Sequence, residues 1–152
     1  MPDEITFYRA NGKNGYLSNL YPAPMEFRCR DGIRAFADAE RAYQFQKFTD
    51  IKAAEWAVAA PSAHLVAIVG HGLFPFDVVP GWNDRKTIVM QEVVLAKFMQ
   101  HPELARKLKH TGVATIPELC DDHFWGSGKN GKGQNRLGYI LLYVRERIKH
   151  VQ

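Results

Sequence analysis

The stretch ADAERAYQFQKFTD, residues 37–50, decides the fold. Before it the chain reads as short strands and turns; from here on it reads as helices. Asp38 is an N-cap residue type set directly before an apolar-periodic run, where its side-chain oxygen accepts a first-turn N–H. Phe45 and Phe48 fall to one side, toward a core. Glu40, Gln44 and Lys47 recur at i, i+4 and i+7 and so share a stripe. Two turns, about 10 Å of axis, separate Glu40 from Lys47, too far for a simple i,i+4 ion pair. If the stripe looks outward it is an ordinary solvated face. If it looks into a cleft, it offers a carboxylate, an amide and an amine, a set suited to chemistry at a sugar carbon. Such a lysine needs a lowered pKa, which desolvation supplies.

Upstream, EITFY (4–8) and MEFRC (25–29) have strand composition, and RDG (30–32) reads as a hairpin turn. NGKNGYLSNLYPAP (11–24) lies between them and is rich in turn formers. Downstream, IKAAEWAVAA (51–60) continues the helical character, and Pro61 suits the first turn of SAHLVAIVGHG (62–72). GLFPFDVVPGWND (72–84) breaks the pattern. DRKTIVMQEVVLAKFMQ (84–100) is apolar on several faces and predicts a central helix. Pro102 opens another helix, which Gly112 ends. The last helix begins near Leu137. It repeats Leu137, Ile140, Leu141, Val144 and Ile148 on its core side, with Arg145, Glu146 and Lys149 on the other. The expected fold is mainly α (α+β): one multihelical domain over residues 1–152 with a small antiparallel β element from the N-terminal third.

At 152 residues the chain is long enough for one domain with a real core and short for two. No run of about 18 apolar residues predicts a membrane span. The start MPDEITFYRA lacks an apolar signal core, which implies a cytoplasmic protein. Cys29 and Cys120 have no CxxC spacing and read as reduced and buried, and the six histidines form no HExxH pair. No metal and no redox cofactor are expected. A net charge of +4 and a pI of about 9.1 favour an anionic partner: nucleic acid, nucleotide or sugar phosphate.

DDHFWGSGKNGKGQNRLG, residues 121–138, holds five glycines and three cationic side chains. Gly126 to Gly131 matches GxGxxG, but only 21 residues follow, too few for the rest of a dinucleotide fold. GSGKNGK imitates a Walker A loop, yet Gly133 stands where a magnesium-binding Ser or Thr is needed. Two readings remain. The loop is either a solvated surface turn or a phosphate cradle ahead of the last helix, with Lys129, Lys132 and Arg136 adding charge. Trp125 in so polar a loop suggests a pocket wall. Asp122 is either a turn cap or a carboxylate for ribose hydroxyls or proton transfer.

Taken in order, LSNL (17–20), AERAYQFQKF (39–48), GW (81–82), RKTIVMQEVVLAKFMQHPEL (85–104), FWGSG (124–128) and GKGQNRLGYIL (131–141) resemble the blocks of the NADAR (YbiA-like) family. The resemblance runs from about Ile5 to Arg147, and the pairing of the ExxxQxxK helix with the WGxG…GxGxNxLG loop is what makes it specific. It implies a mainly helical fold and an N-glycosidase that breaks a C–N bond at a ribosyl anomeric carbon. One implied substrate is ADP-ribose on guanine in DNA or RNA; the other is a set of aminopyrimidine ribosides early in riboflavin biosynthesis, releasing ribose 5-phosphate. Glu40, Trp82 and Asp122 fall on positions implicated in the family site, and Lys47 on the lysine proposed to form an imine with ribose C1. Ser18 and Asn19 match a pocket loop; Asn135 and Gly138 match the terminal loop.

With the residues read from the helix stripe and the glycine loop, the candidate set is as follows. Glu40, Lys47 and Asp122 are catalytic; Ser18, Asn19, Gln44, Trp82, Trp125, Gly126, Gly128, Asn135 and Gly138 bind ligand. Arg41 departs from the family, which commonly has His there; it either alters proton transfer or substrate choice, or meets a phosphate. Three functional readings are carried: the glycosidase, a non-catalytic ADP-ribose or NAD-binding module, and a plain nucleic-acid-binding module. The implied partner is a substrate bearing ADP-ribose or ribose phosphate, with ADP-ribosylated nucleic acid favoured by the positive charge; no membrane partner is expected.

Overall fold

The computed structural model describes residues 3–151. Helix α1 (Ala39–Lys47) starts where its cap residue stands: the Asp38 carboxylate accepts the N–H of Arg41. Before it, β1 (Met25–Cys29) and β2 (Gly32–Phe36) pair antiparallel, with Met25 opposite Phe36 and Cys29 opposite Gly32. Gly32 takes φ +125° at the tight turn, a backbone conformation that L side chains rarely adopt.

The strand expected over 4–8 does not form. Glu4 and Phe7 each make a single parallel bridge, to Thr115 and Glu118. Pro117 stands between these partners and has no N–H to give, so a continuous ladder cannot build there. The crossing still matters. The Ile5 N–H bonds the Thr115 carbonyl and the Leu119 N–H bonds the Phe7 carbonyl, each at 2.8 Å, which fixes the approach to the glycine-rich loop.

Helices α2 (Ile51–Val58) and α3 (Ala63–His71) follow, capped by Asp50 and Ser62. The Ser62 hydroxyl accepts the Leu65 N–H, so Pro61 precedes the cap instead of entering the first turn. Helix α4 runs Trp82–Gln100, two residues earlier than the polar start at Asp84 suggests. Gly81 reaches φ +74° there and turns the chain, so Trp82 opens the helix. Helix α5 (Pro102–His110) opens on its proline, with Gly112 at φ +66° just beyond it, and α6 spans Arg136–Ile148.

Helix α4 is central, packing on α1, α5, α6 and β1. Val93, Val94 and Phe98 from α4 meet Phe45, Leu141 and Val144 in one core. Two cations are buried in it. Lys97 is 0 % exposed and donates to the carbonyls of Tyr16 and Ser18 at 2.6 and 2.9 Å, and burial brings its pKa down to about 7. This ties the 3-10 turn Gly15–Leu17 to the core. Arg145, expected on the outer side of α6, points inward and donates to Thr111 Oγ1 and the Ala114 carbonyl at 2.8 and 2.9 Å. Cys29 is buried, whereas Cys120 is only half-buried, and both are free thiols. Among the described residues no helix is long and apolar enough to cross a membrane, and no group of three or more His, Cys, Asp or Glu is arranged to hold a metal ion.

Candidate active site

A cleft of about 610 Å³ opens between α1, the 71–81 segment, the first turns of α4 and residues 122–125. One wall is the inward face of α1. Gln44 and Lys47 line the cleft, so the stripe read from the sequence faces inward for at least these two members. Lys47 donates its Nζ to the Gly70 carbonyl of α3 at 2.7 Å. Burial lowers its pKa, Lys86 lowers it further by charge repulsion, and Glu40 opposes both. The balance shifts the amine toward its neutral, nucleophilic form.

Glu40 sits behind Gln44. It is 9 % exposed, its N–H bonds the Asn19 carbonyl at 3.1 Å, and its Oε1 accepts from Gln44 Nε2 at 2.9 Å. Burial pushes its carboxyl up to about 7, so it holds a proton well above the usual carboxylate range. Gln44 Oε1 is buried and has no hydrogen-bond partner within the protein. Gly70 makes room for that amide: a Cβ there would collide with the Gln44 carboxamide.

The aromatic wall is built around Tyr43. Its ring lies 5.4 Å from Trp82 and 5.8 Å from Trp125, and Trp125 meets Phe124 edge-on at 4.7 Å. Burial raises the Tyr43 phenol pKa, with the charges of Glu40 and then Asp122 adding to it. The two carboxylates therefore bear on one phenol from different segments. Asp122 lines the cleft and caps its turn as well: its Oδ1 accepts the N–H groups of Phe124 and Trp125, both at 2.8 Å. A third carboxylate, Glu118, is raised to about 7 by burial, with the charges of Asp122 and Glu40 adding to it.

The remaining candidates frame the cleft without lining it. Ser18 and Asn19 are buried; the Ser18 hydroxyl accepts the Leu20 N–H at 3.1 Å and Asn19 Nδ2 donates to Met90 Sδ at 3.2 Å. They hold the loop that holds Glu40. Gly126, Gly128 and Gly138 allow close approach within the loop itself: a side chain at each would strike Cys120, His123, and Asn135 with Ile116, respectively. Asn135, at φ +48°, accepts the Glu118 N–H at 3.0 Å and donates to the Ile116 carbonyl at 3.3 Å. The first N–H groups of α6 are already taken, since Arg136 and Leu137 bond the carbonyls of Phe124 and Trp125 at 3.1 and 2.9 Å. The loop thus wraps its own chain, and Lys129 and Lys132 stand exposed outside the cleft. The basic side chains on the cleft wall are Lys47, Lys86 and His71. Arg41 faces away: its guanidinium pairs with Asp38 and donates to the carbonyls of Val58 and Ala60 at 2.9 and 2.7 Å.

Tyr43, Lys86 and Phe124 were not among the residues singled out from the sequence. Tyr43 had a signal, since it stands at i+3 from Glu40 beside the stripe. Lys86 had one too, a turn beyond Trp82. Glu118 had none, because its place depends on the bridges to the N-terminal segment.

Similarity to known proteins runs over nearly the whole chain. The NADAR domain family model matches residues 6–149. The chain is 35% identical over 145 residues to N-glycosidase YbiA of Shigella boydii, covering 95% of this chain and 88% of that protein. It is 32% identical over 150 residues to a riboflavin biosynthesis protein of Vibrio vulnificus, covering 98% of this chain and 40% of that protein. The NMR structure of the Escherichia coli protein YbiA superposes with a TM-score of 0.83 at 35% identity, covering 98% of this chain and 87% of that one.

Proposed function

The chain belongs to the NADAR family, and from that premise we propose that it is an N-glycosidase that removes ADP-ribose from guanine in nucleic acid. The observation that carries the proposal is the Lys47 amine on the cleft wall, anchored on the Gly70 carbonyl with its pKa lowered, and behind it a Glu40 carboxyl raised to about 7. Such a wall supplies a nucleophile and a proton. Tyr43, Trp82 and Trp125 form the apolar sides that a ribose or base fills. Lys47, Lys86 and His71 give the wall a basic character suited to phosphate.

Glu40, behind Gln44, gives its proton by way of a cleft water to the ribose ring oxygen as the C1–O bond opens and the base nitrogen forms a C=N bond to C1. Neutral Lys47 adds to C1, one of its protons passes to the base nitrogen, and the C1–base bond breaks. An imine between C1 and Nζ remains. Water adds to it, C1 becomes the aldehyde of the freed sugar, Lys47 leaves as the amine, and the proton returns to Glu40. Asp122 receives the ribose hydroxyls from the opposite wall. The competing route is direct hydrolysis assisted by Glu40 and Asp122, with Lys47 acting only by its charge.

One observation favours a second substrate. The 32% identical region covers 40% of a protein named for riboflavin biosynthesis, which supports an aminopyrimidine riboside phosphate as the alternative. The test is a mass-spectrometric assay of both candidates side by side. Release of ADP-ribose from a guanine-modified oligonucleotide, lost in Lys47→Ala, supports the first reading. Turnover of the riboside phosphate alone transfers the function to the second. Tight ADP-ribose binding with no turnover of either makes the protein a reader instead of an enzyme.

A further inference from the structure

On α6, Arg136, Tyr139, Tyr143 and Arg147 recur at intervals of three, four and four residues and share one stripe about 16 Å long. Tyr139 is 66 % and Tyr143 37 % exposed, large rings left on a helix whose other side is buried in the core. They line a groove of about 400 Å³ between α6 and α4, together with Thr87, Gln91 and Gln134. These are neutral amides and a hydroxyl, groups that donate and accept alike. At the far end, Arg147 donates to the Tyr143 hydroxyl at 2.7 Å. At the near end, the Arg136 guanidinium lies 4.7 Å from the Phe124 ring, and Lys86 lies 4.1 Å from the same ring. Phe124 and Lys86 line the catalytic cleft. The stripe therefore begins at the cleft mouth and runs outward without a break. On α6 itself the acid is Glu146, which is bound to Lys149 at 3.1 Å and so is offset by a cation of its own.

Exposed rings flanked by cations beside a polar groove are what a single strand of nucleic acid needs. Bases stack on the rings and phosphates meet the cations. An acidic peptide would use the cations but gives the two rings nothing to stack on. We propose that the Arg136–Tyr139–Tyr143–Arg147 stripe of α6 is a track for single-stranded nucleic acid, holding the strand that flanks the base in the cleft. The track rests on the proposed substrate for its biological sense, but on no catalytic residue.

The test measures the anisotropy of a fluorescent, unmodified single-stranded 12-mer with the full chain. Wild type binds, and the affinity falls steeply with salt. The Tyr139→Ala/Tyr143→Ala double variant, neutral in charge change, weakens binding by about tenfold or more. It leaves turnover of a small riboside phosphate or of ADP-ribosyl-guanosine unchanged. Lys107→Ala/Lys109→Ala on α5 serves as the control for loss of charge elsewhere and leaves binding within about twofold. Equal weakening by the two variants means diffuse electrostatics and overturns the track. So does tyrosine-dependent binding of poly-glutamate with the same affinity. No binding of the 12-mer by an enzyme that still cleaves small ribosides overturns the track and spares the glycosidase. Tyrosine-dependent binding without any turnover does the reverse.

Discussion

Lys47 Nζ and the Gly70 carbonyl are 2.7 Å apart, and the bare Cα of Gly70 is also where the Gln44 amide lies. One glycine on α3 therefore seats two of the proposed catalytic-wall groups. Gly70→Ala puts a methyl into the Gln44 carboxamide and forces it to move. Overpacking of this kind costs about 1–3 kcal/mol, and misplacing a reacting group by about 1 Å costs on the order of a hundredfold in rate. The expected outcome is a modest fall in Tm with a far larger fall in kcat/KM. Activity within twofold of wild type would show that neither group needs its present seat.

Glu40 makes stability depend on pH. Its folded pKa, about 7, lies above the ordinary 4.5, so the folded state binds the extra proton between those values. Stability from this group is fully present below about 4.5 and is lost as pH rises through 7. Glu40→Gln removes that loss. The variant is expected to exceed wild type in stability at pH 8, by on the order of 1–3 kcal/mol, and to match it near pH 4.5. Urea titrations at the two pH values measure the difference; a variant less stable at pH 8 contradicts the assignment. In the same variant, the alkaline fall of kcat/KM near pH 7 should disappear along with most of the activity.

Lys97 runs the opposite way. Its pKa falls from 10.5 to about 7 on folding, so the unfolded chain binds more protons between those values. Stability from Lys97 rises with pH across that window. With Glu40 acting below 7, the two groups together place a shallow stability minimum near neutrality. Lys97→Met should flatten the alkaline arm and leave the acid arm alone. It also strands the carbonyls of Tyr16 and Ser18, so a net loss of about 1–3 kcal/mol at pH 9 is expected. An unchanged alkaline slope in the variant contradicts the account.

Arg41 offers a control for the chemistry. The resemblance implies a histidine at this position, yet Arg41 joins the start of α1 to the end of α2 and stays out of the cleft. Arg41→His is expected to lower stability by about 1–3 kcal/mol through unpaired carbonyls at Val58 and Ala60. The pH profile of kcat should keep its shape. A shifted profile would mean that position 41 takes part in proton transfer.

The sequence made the helical frame legible where the signal is local. Asp38 as cap, Pro102 at the start of α5 and the spacing of Glu40, Gln44 and Lys47 are all facts of one helical turn or two. The misreadings come from partners distant along the chain. Charge alone puts Arg145 outside, and only the Thr111 and Ala114 oxygens explain why it turns inward. The glycine-rich loop advertised a phosphate cradle, but its backbone is occupied with the segment that carries Trp125. The seat at Gly70 and the cluster of Glu118 with Asp122 and Glu40 arise from chain returns that no spacing announces.

The central claim is that Lys47 forms a covalent bond to the sugar, and reductive trapping tests it most directly. Wild-type protein turning over ADP-ribosylated guanine oligonucleotide is quenched with borohydride, and its intact mass and peptide map are recorded. The account predicts a stable ADP-ribosyl adduct on Lys47, absent from Lys47→Ala and from samples without substrate. Continued turnover in borohydride with no adduct, or an adduct on another residue, would contradict it.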